Sequence, residues 1–373
     1  MESKHKIYTI QKGDTLQSVA KQLNLTPEEI REYHNIYCEL PDLIGYDFSH
    51  NLKTLILSQN PKENKENNSK QPAPSFLQLK SIQKKINYGV MFTVTTGEEV
   101  TTMHYEVSVQ CTDRQPSEYH LFEINRTSKI FIDNLEADTI INELAEKVSQ
   151  SLYPLVLVVN KSGKWEDVHN IEEIKKRWAN NKQKIFDEYQ GKEVENYLTA
   201  FEQSMDNKSS LNESLQNDWF LNAFFSGIHI KHNEELNFES TVDFPLLVNC
   251  NPLRYSINQT IDKYLDESNN ICLSRNGILN DDRLKEDFEN ELSFSNYDSQ
   301  MGLEFEKATG NFNAKYFLNP YSNTIKTLLM ECDIKLDIPK KLEIIIAIIN
   351  DNEKLNNRPV EMILPAKKKS WFF

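Results

Sequence analysis

Ile7-Tyr8-Thr9-Ile10-Gln11-Lys12-Gly13-Asp14-Thr15-Leu16 opens the most informative stretch of this chain, residues 7–57. A short alternating strand runs into Lys-Gly-Asp-Thr-Leu and from there directly into a helical pattern. Leu16, Val19, Ala20 and Leu23 lie at i, i+3, i+4 and i+7, which is one apolar stripe of a helix. Asp14, with Gln17 three residues on, predicts a capping box at the start of that helix. A second helix is marked by Thr26 as N-cap, Pro27 at the first helical position and Glu29 completing a capping box. Leu25 and Ile30 are spaced as a hydrophobic staple. The stretch closes on the apolar strand Leu55-Ile56-Leu57.

Strand, two helices and strand in this order, carrying Lys-Gly-Asp-Thr-Leu at the first turn, resemble the LysM module. That resemblance covers about a seventh of the chain and implies a βααβ unit associated with glycans built on N-acetylglucosamine, such as peptidoglycan or chitin. It also implies a shallow groove between two loops. Carried over onto this sequence, the ligand-binding positions are Gly13, Asp14 and Thr15 on one side and Asn35, Ile36 and Tyr37 on the other. The segment from Ile36 to Asn51, with Pro41, Gly45 and the run Asp47-Phe48-Ser49-His50, is longer than the short turn usual in the family. A LysM module without an export signal is also compatible with a structural or adaptor part of a phage-tail-like contractile injection or secretion machine. There the module would dock protein.

The whole chain has 373 residues, 39% hydrophobic and 26% charged, with a formal net charge of −14. That length accommodates two or three domains, and the composition is that of a globular protein. Such acidity gives no general attraction to phosphate backbones or anionic lipid, so neither nucleic acid nor membrane insertion is expected. No apolar run reaches the length needed to span a bilayer, and no apolar export segment follows Met1-Glu2-Ser3-Lys4-His5-Lys6. The expectation is synthesis in the cytoplasm, with any delivery to the envelope non-classical. The five cysteines, Cys38, Cys111, Cys250, Cys272 and Cys332, are scattered and odd in number, which argues for reduced thiols.

Residues 59–75 are polar and charge-mixed, and read as a flexible linker between a module at 1–58 and a larger domain at 76–373. Beyond it Val90, Phe92 and Val94 alternate, Gly97-Glu98 turns the chain, and Tyr105, Val107, Val109 and Cys111 alternate on the way back. Further strands are predicted at Tyr119–Ile124, Lys129–Asp133, Pro154–Asn160 and Trp165–Val168. A helical insertion spans about 171–226, in three stretches marked by Ile174 and Trp178, by Leu198 and Phe201, and by Leu211, Leu215, Trp219 and Phe220. Strands return after Phe238. The end of the chain gives alternation at Phe312–Leu318 and Leu328–Leu336, then Leu342–Ile349, apolar on both faces as in a central strand. The fold class is therefore α+β: a βααβ module, a linker, and an antiparallel sheet with a helical insertion.

Recognised enzyme motifs are missing. There is no Gly-x-Ser-x-Gly, no phosphate-binding loop, no Gly-x-Gly-x-x-Gly and no His-Glu-x-x-His. The expectation is a non-enzymatic binding protein, with no catalytic residues, no cofactor and no metal. A cell-wall enzyme targeted by the module is a third possibility. His229-Ile230-Lys231-His232 with Glu234 and Glu235 is the nearest approach to a metal cluster, and reads better as two solvated histidines in a polar turn. Adjacent acid pairs such as Glu98-Glu99, Glu172-Glu173 and Asp281-Asp282 point apart and make no acid/base pair. Trp165, Trp178 and Trp219 can serve either as core or as sugar-stacking rings. Lys367-Lys368-Lys369-Ser370-Trp371-Phe372-Phe373 places three aromatics at the C-terminus, which suits a tail docking on a protein partner through Trp371, Phe372 and Phe373.

Overall fold

A computed structural model describes residues 5–49, 51–59, 71–80, 84–114, 119–136, 140–233, 235–247, 250–295, 306–349 and 360–361. The chain divides into two units, Met1–Ser69 with Ile349–Phe373, and Lys70–Ile348. The aromatic tail Trp371, Phe372 and Phe373 lies outside the described residues, as does 60–70 of the expected linker.

In the first unit β1 (His5–Thr9) is followed by α1 (Leu16–Leu23), α2 (Pro27–Tyr37), a 3-10 turn (Leu40–Asp42) and β2 (Thr54–Ser58). β1 and β2 pair antiparallel with Tyr8 opposite Leu55. The two helices pack on this ribbon through Leu16, Val19, Ala20 and Ile30, which share a core with Tyr8, Ile44, Leu52, Leu55 and Leu57. Leu25 packs against the same cluster as the staple spacing requires. The cap of α2 is Thr26 with Glu29, bonded in both directions.

The cap of α1 differs from expectation. Thr15, not Asp14, is the N-cap, and its capping-box partner is Ser18 rather than Gln17. Asp14 is withdrawn because its carboxylate accepts from Tyr8 Oη at 2.6 Å and from the Gln11 N–H at 2.8 Å.

The second unit is built on β3 (Ile86–Thr96), β4 (Glu99–Arg114), β5 (His120–Arg126), β6 (Phe131–Ile132), β7 (Leu135–Glu136), α3 (Ile140–Gln150), β8 (Leu155–Val159) and β9 (Trp165–Val168). Four helices follow, α4 (Ile171–Glu188), α5 (Lys192–Ser204), α6 (Lys208–Leu215) and α7 (Trp219–Phe224). Then come β10 (Asn237–Phe244), β11 (Leu253–Ile261), β12 (Ile271–Leu279), α8 (Lys285–Glu289), β13 (Asn311–Leu318), β14 (Ile325–Ile334) and β15 (Lys340–Ile348). One antiparallel sheet runs in the order β10-β11-β12-β13-β14-β15-β3-β4-β5-β8-β9, with the β6–β7 hairpin on β4. β15 lies between β14 and β3, so its apolar character on both faces is that of an interior strand. Leu342, Ile344 and Ile346 enter a core shared with the helices, while Ile345 packs on the other face against Cys272, Phe317 and Leu329.

Helix α3 lies outside the expected helical insertion. The third expected helical stretch breaks at Asp218, which caps the separate helix α7 through the Leu221 N–H. Residues 71–75, assigned to the flexible linker, instead lie along this unit. Leu265 N–H donates to the Gln71 carbonyl, Ala73 N–H to that of Lys263 and His232 N–H to that of Ser75. The expected second domain ran to 373, whereas β16 (Val360–Glu361) pairs parallel with β1 and so extends the first unit's sheet.

Candidate functional site in the N-terminal module

Helix α2 carries three buried polar side chains, Arg31, His34 and Asn35, spaced i, i+3 and i+4, so they share one face. All three bind the backbone of the segment that returns toward β2. Arg31 Nε donates to the Gly45 carbonyl at 2.7 Å. Asn35 Nδ2 donates to the Ile44 carbonyl at 3.0 Å, and Asn35 Oδ1 accepts from the Ile44 N–H at 2.8 Å. His34 Nδ1 accepts from the Ile56 N–H at 3.0 Å, which leaves Nε2 to carry the proton and donate to the Asp42 carbonyl at 3.0 Å. This neutral imidazole is held well below its ordinary 6.5, at about 4, chiefly because burial disfavours the imidazolium.

The long loop is therefore pinned rather than loose. From its anchored base at Ile44 and Gly45 it projects Tyr46, 46% exposed, and Asp47. Asp47 Oδ1 accepts from the Leu16 N–H at 2.7 Å and from the Phe48 N–H at 2.8 Å. That bond from the first turn of α1 closes the loop against the Gly13–Thr15 turn. Gly13 itself has φ +90, is exposed, and has nothing within 4 Å of where a Cβ would stand. Ligand backbone-contacting groups can approach it closely.

The predicted positions divide under this geometry. Gly13, Asp14 and Thr15 form one wall, with Gly13 and Thr15 exposed and Asp14 serving as the clamp on Tyr8. Burial, and after it the hydrogen bond to Asp14, pushes the Tyr8 phenol up to about 12. Of the other expected positions, Asn35 is withdrawn into the structure, while Ile36 and Tyr37 are half-buried. Asn35 is buried with its carboxamide committed to Ile44. Tyr37 packs on His5 at 4.5 Å and on Tyr33 at 4.9 Å between ring centroids. Tyr37 therefore sits at the His5 end of β1, and the Gly13 turn follows the other end of that strand. The segment that the Asp47 bond brings against the first turn of α1 is Gly45-Tyr46-Asp47-Phe48, which is not among the expected positions. Its signal was an aromatic and an acid directly after Gly45 in a loop between two elements.

The LysM family description matches residues 8–40, which contain the first wall and all three anchoring side chains of α2. The N-terminal module is a LysM domain. LysM domains are modules for peptidoglycan and chitin-type glycans, and the βααβ order seen here is theirs. No curated protein matches the chain. Among solved structures, one described as "lipid-protein interactions in lipovitellin" is similar at 10% identity and a TM-score of 0.38. The match covers 71% of this chain and spans a quarter (25%) of that one, a likeness too distant to inform function.

The other candidate positions lie in the second unit. His229 and His232 are buried, not solvated: His229 Nε2 meets the Asn323 carbonyl at 3.2 Å and His232 Nε2 meets Gln259 Nε2 at 3.0 Å. Burial holds His229 down at about 4. Among the described residues no group of His, Cys, Asp and Glu is arranged to hold a metal, and Glu234 lies outside them. Trp165 and Trp178 are core residues; Trp219 is partly exposed and donates through Nε1 to the Pro245 carbonyl at 2.7 Å. Asp281 is paired with Arg283 at 2.8 Å, and both side chains are nearly buried. The cysteines are free thiols. Among the described residues no helix is long and apolar enough to cross a membrane.

Proposed function

We propose that this protein is a non-enzymatic glycan-binding protein whose LysM domain takes a chain built on N-acetylglucosamine. The supporting observation is the Asp47 bridge to the Leu16 N–H, which brings the Gly13–Thr15 turn and the Gly45–Phe48 loop together as two walls of one shallow groove. Exposed backbone at Gly13 suits an acetamido group, and the ring of Tyr46 suits the apolar face of a sugar. A single shallow groove binds weakly, so retention on a polymer depends on many equivalent sites along it. The test is cosedimentation of the full chain with purified peptidoglycan and with chitin. Wild type should pellet, and Tyr46→Ala should reduce the pelleted fraction severalfold. Failure of the wild type to pellet with either polymer refutes the reading.

A second reading is favoured by one observation. β1 accepts a parallel strand, Val360–Glu361, on the edge away from β2, with Lys6 opposite Val360. An edge that takes a strand is a way of docking protein. On this reading the chain is an adaptor component, made in the cytoplasm, of a contractile injection or secretion machine. Copurification of sheath or tail proteins with the full chain, undiminished by Tyr46→Ala, would establish it over glycan binding.

A further inference from the structure

The second unit holds a cavity of about 500 Å³ that the LysM reading leaves unused. It lies among β3, β4, β5, the β6 strand, α3, α5 and the junction ahead of α7. That volume is in the range of small-molecule sites, as is a lining that is mostly apolar with a few convergent polar groups. Its aromatic walls are Phe92, Tyr105, Tyr153, Tyr197, Trp219 and Phe220.

Five polar groups meet there. The phenols of Tyr105, which is buried, and Tyr153, which is half-buried, have no hydrogen-bond partner among the described residues. Glu146 Oε1 is buried and also without a hydrogen-bond partner among the described residues. Asp218 caps α7 through one oxygen, which leaves further acceptor capacity on its carboxylate. Arg126 stacks over Tyr153 with its guanidinium carbon 5.4 Å from the ring centroid. It donates to Ser149 Oγ at 3.0 Å and the Glu146 carbonyl at 3.3 Å. Buried polar atoms are ordinarily satisfied, so the unpaired Glu146 Oε1, with two unpaired phenols on the same cavity, marks a place where a ligand completes the set.

The chemistry of that ligand follows from the set. Two hydroxyls can donate or accept, two carboxylates accept, and one guanidinium donates. A cationic ligand would meet Arg126 and an anionic one Asp218 and Glu146. A neutral molecule carrying several hydroxyls around an apolar-faced ring meets both signs without a like-charge contact and presents that face to the aromatic walls. We propose that this cavity is a saccharide site, separate from the LysM groove.

The test uses the full chain and five probes: glucose, N-acetylglucosamine, chitotriose, choline and benzoate. Tryptophan emission and titration calorimetry are followed together. All four tryptophans, Trp165, Trp178, Trp219 and Trp371, lie outside the LysM match, so emission reports on the cavity through Trp219. Saturable emission change with at least one of the three sugars is expected, lost in Trp219→Phe while the heat persists. Removing both hydroxyls, Tyr105→Phe with Tyr153→Phe, should weaken binding roughly tenfold, and Glu146→Gln is a second variant should the double change disturb folding. Tyr46→Ala should leave this binding intact, so failure here and failure of the groove are distinguishable. Silence with all three sugars, saturation by choline or benzoate alone, unchanged affinity in the hydroxyl variants, or loss in Tyr46→Ala would each overturn the proposal.

Discussion

Acidification should loosen the LysM domain, and His34 fixes both the window and the size of the effect. Its Nδ1 accepts from the Ile56 N–H, so protonation there destroys a bond and buries a charge. The folded imidazole titrates at about 4, against an ordinary 6.5. Because the folded value is the lower one, the stabilisation is complete above 6.5 and is lost as pH falls from 6.5 toward 4. Linkage at 1.36 kcal/mol per pH unit makes the loss about 2 kcal/mol at pH 5 and about 3 kcal/mol at pH 4. For so small a unit this is a large part of its stability. Asp42, whose carboxyl burial pushes up, acts in the opposite sense, favouring the fold as it protonates on acidification. The informative quantity is therefore a difference between proteins. Hydrogen exchange of peptides from residues 5–58, corrected for intrinsic rates, should show protection falling between pH 7 and pH 5 in wild type. His34→Gln should be less stable at pH 7 yet nearly flat over that interval. An equal slope in both proteins, or an imidazole signal from His34 titrating near its ordinary value, would refute the reasoning.

Three further outcomes follow from the packing. Asn35→Ala strips the partners from the buried Ile44 N–H and carbonyl and should cost the domain about 2–4 kcal/mol, read by local hydrogen exchange. Glycan retention should then be lost in proportion to unfolding. Gly277→Ala would place a Cβ 2.3 Å from the Ser256 carbonyl oxygen on the neighbouring strand, so a loss of about 1–3 kcal/mol is expected in urea denaturation of the second unit. Arg275→Met leaves the carbonyls of Ser226 and Gly227 and the Gln259 Oε1 without their buried donor. A loss of about 3 kcal/mol or more is expected, seen as a marked drop in the melting temperature of the second unit.

How far the sequence could be read depended on whether neighbouring residues competed for one role. The caps of α2 were legible because Thr26, Pro27 and Glu29 admit a single arrangement. At α1 two boxes overlap, Asp14 with Gln17 and Thr15 with Ser18, and the choice is made by Tyr8, whose hydroxyl claims the aspartate from across the turn. Asn35 is a polar residue at a helix end, and nothing local distinguishes a ligand contact from a backbone anchor. Only the return of Ile44 to its side decides it. Tyr46 was overlooked because the loop's path is set by Arg31, His34 and Asn35, which belong to another element. In the second unit, β13, β14 and β15 alternate cleanly and were readable. α3 was not, because Ile140 and Ile141 are exposed and only Leu144 and Val148 carry its buried face. The cavity was invisible in sequence, since its groups come from strands and helices spread between residues 92 and 220 and meet only in the fold.

The placement of β15 against β3 has a consequence for synthesis. These strands pair along their length, with Leu342 opposite Val94 and Ile346 opposite Val90, across some 250 residues of intervening chain. A ribosome delivers β3 to β9 and the helices long before it delivers β15. Until then β3 carries an unpaired edge of Val90, Phe92 and Val94, with the apolar face they share. Contacts so distant in sequence form late, and a waiting sheet edge is a template for other chains. A nascent chain stalled before residue 340 would present an adhesive half-sheet. Its safe passage depends on chaperone cover or on rapid completion of the last strand.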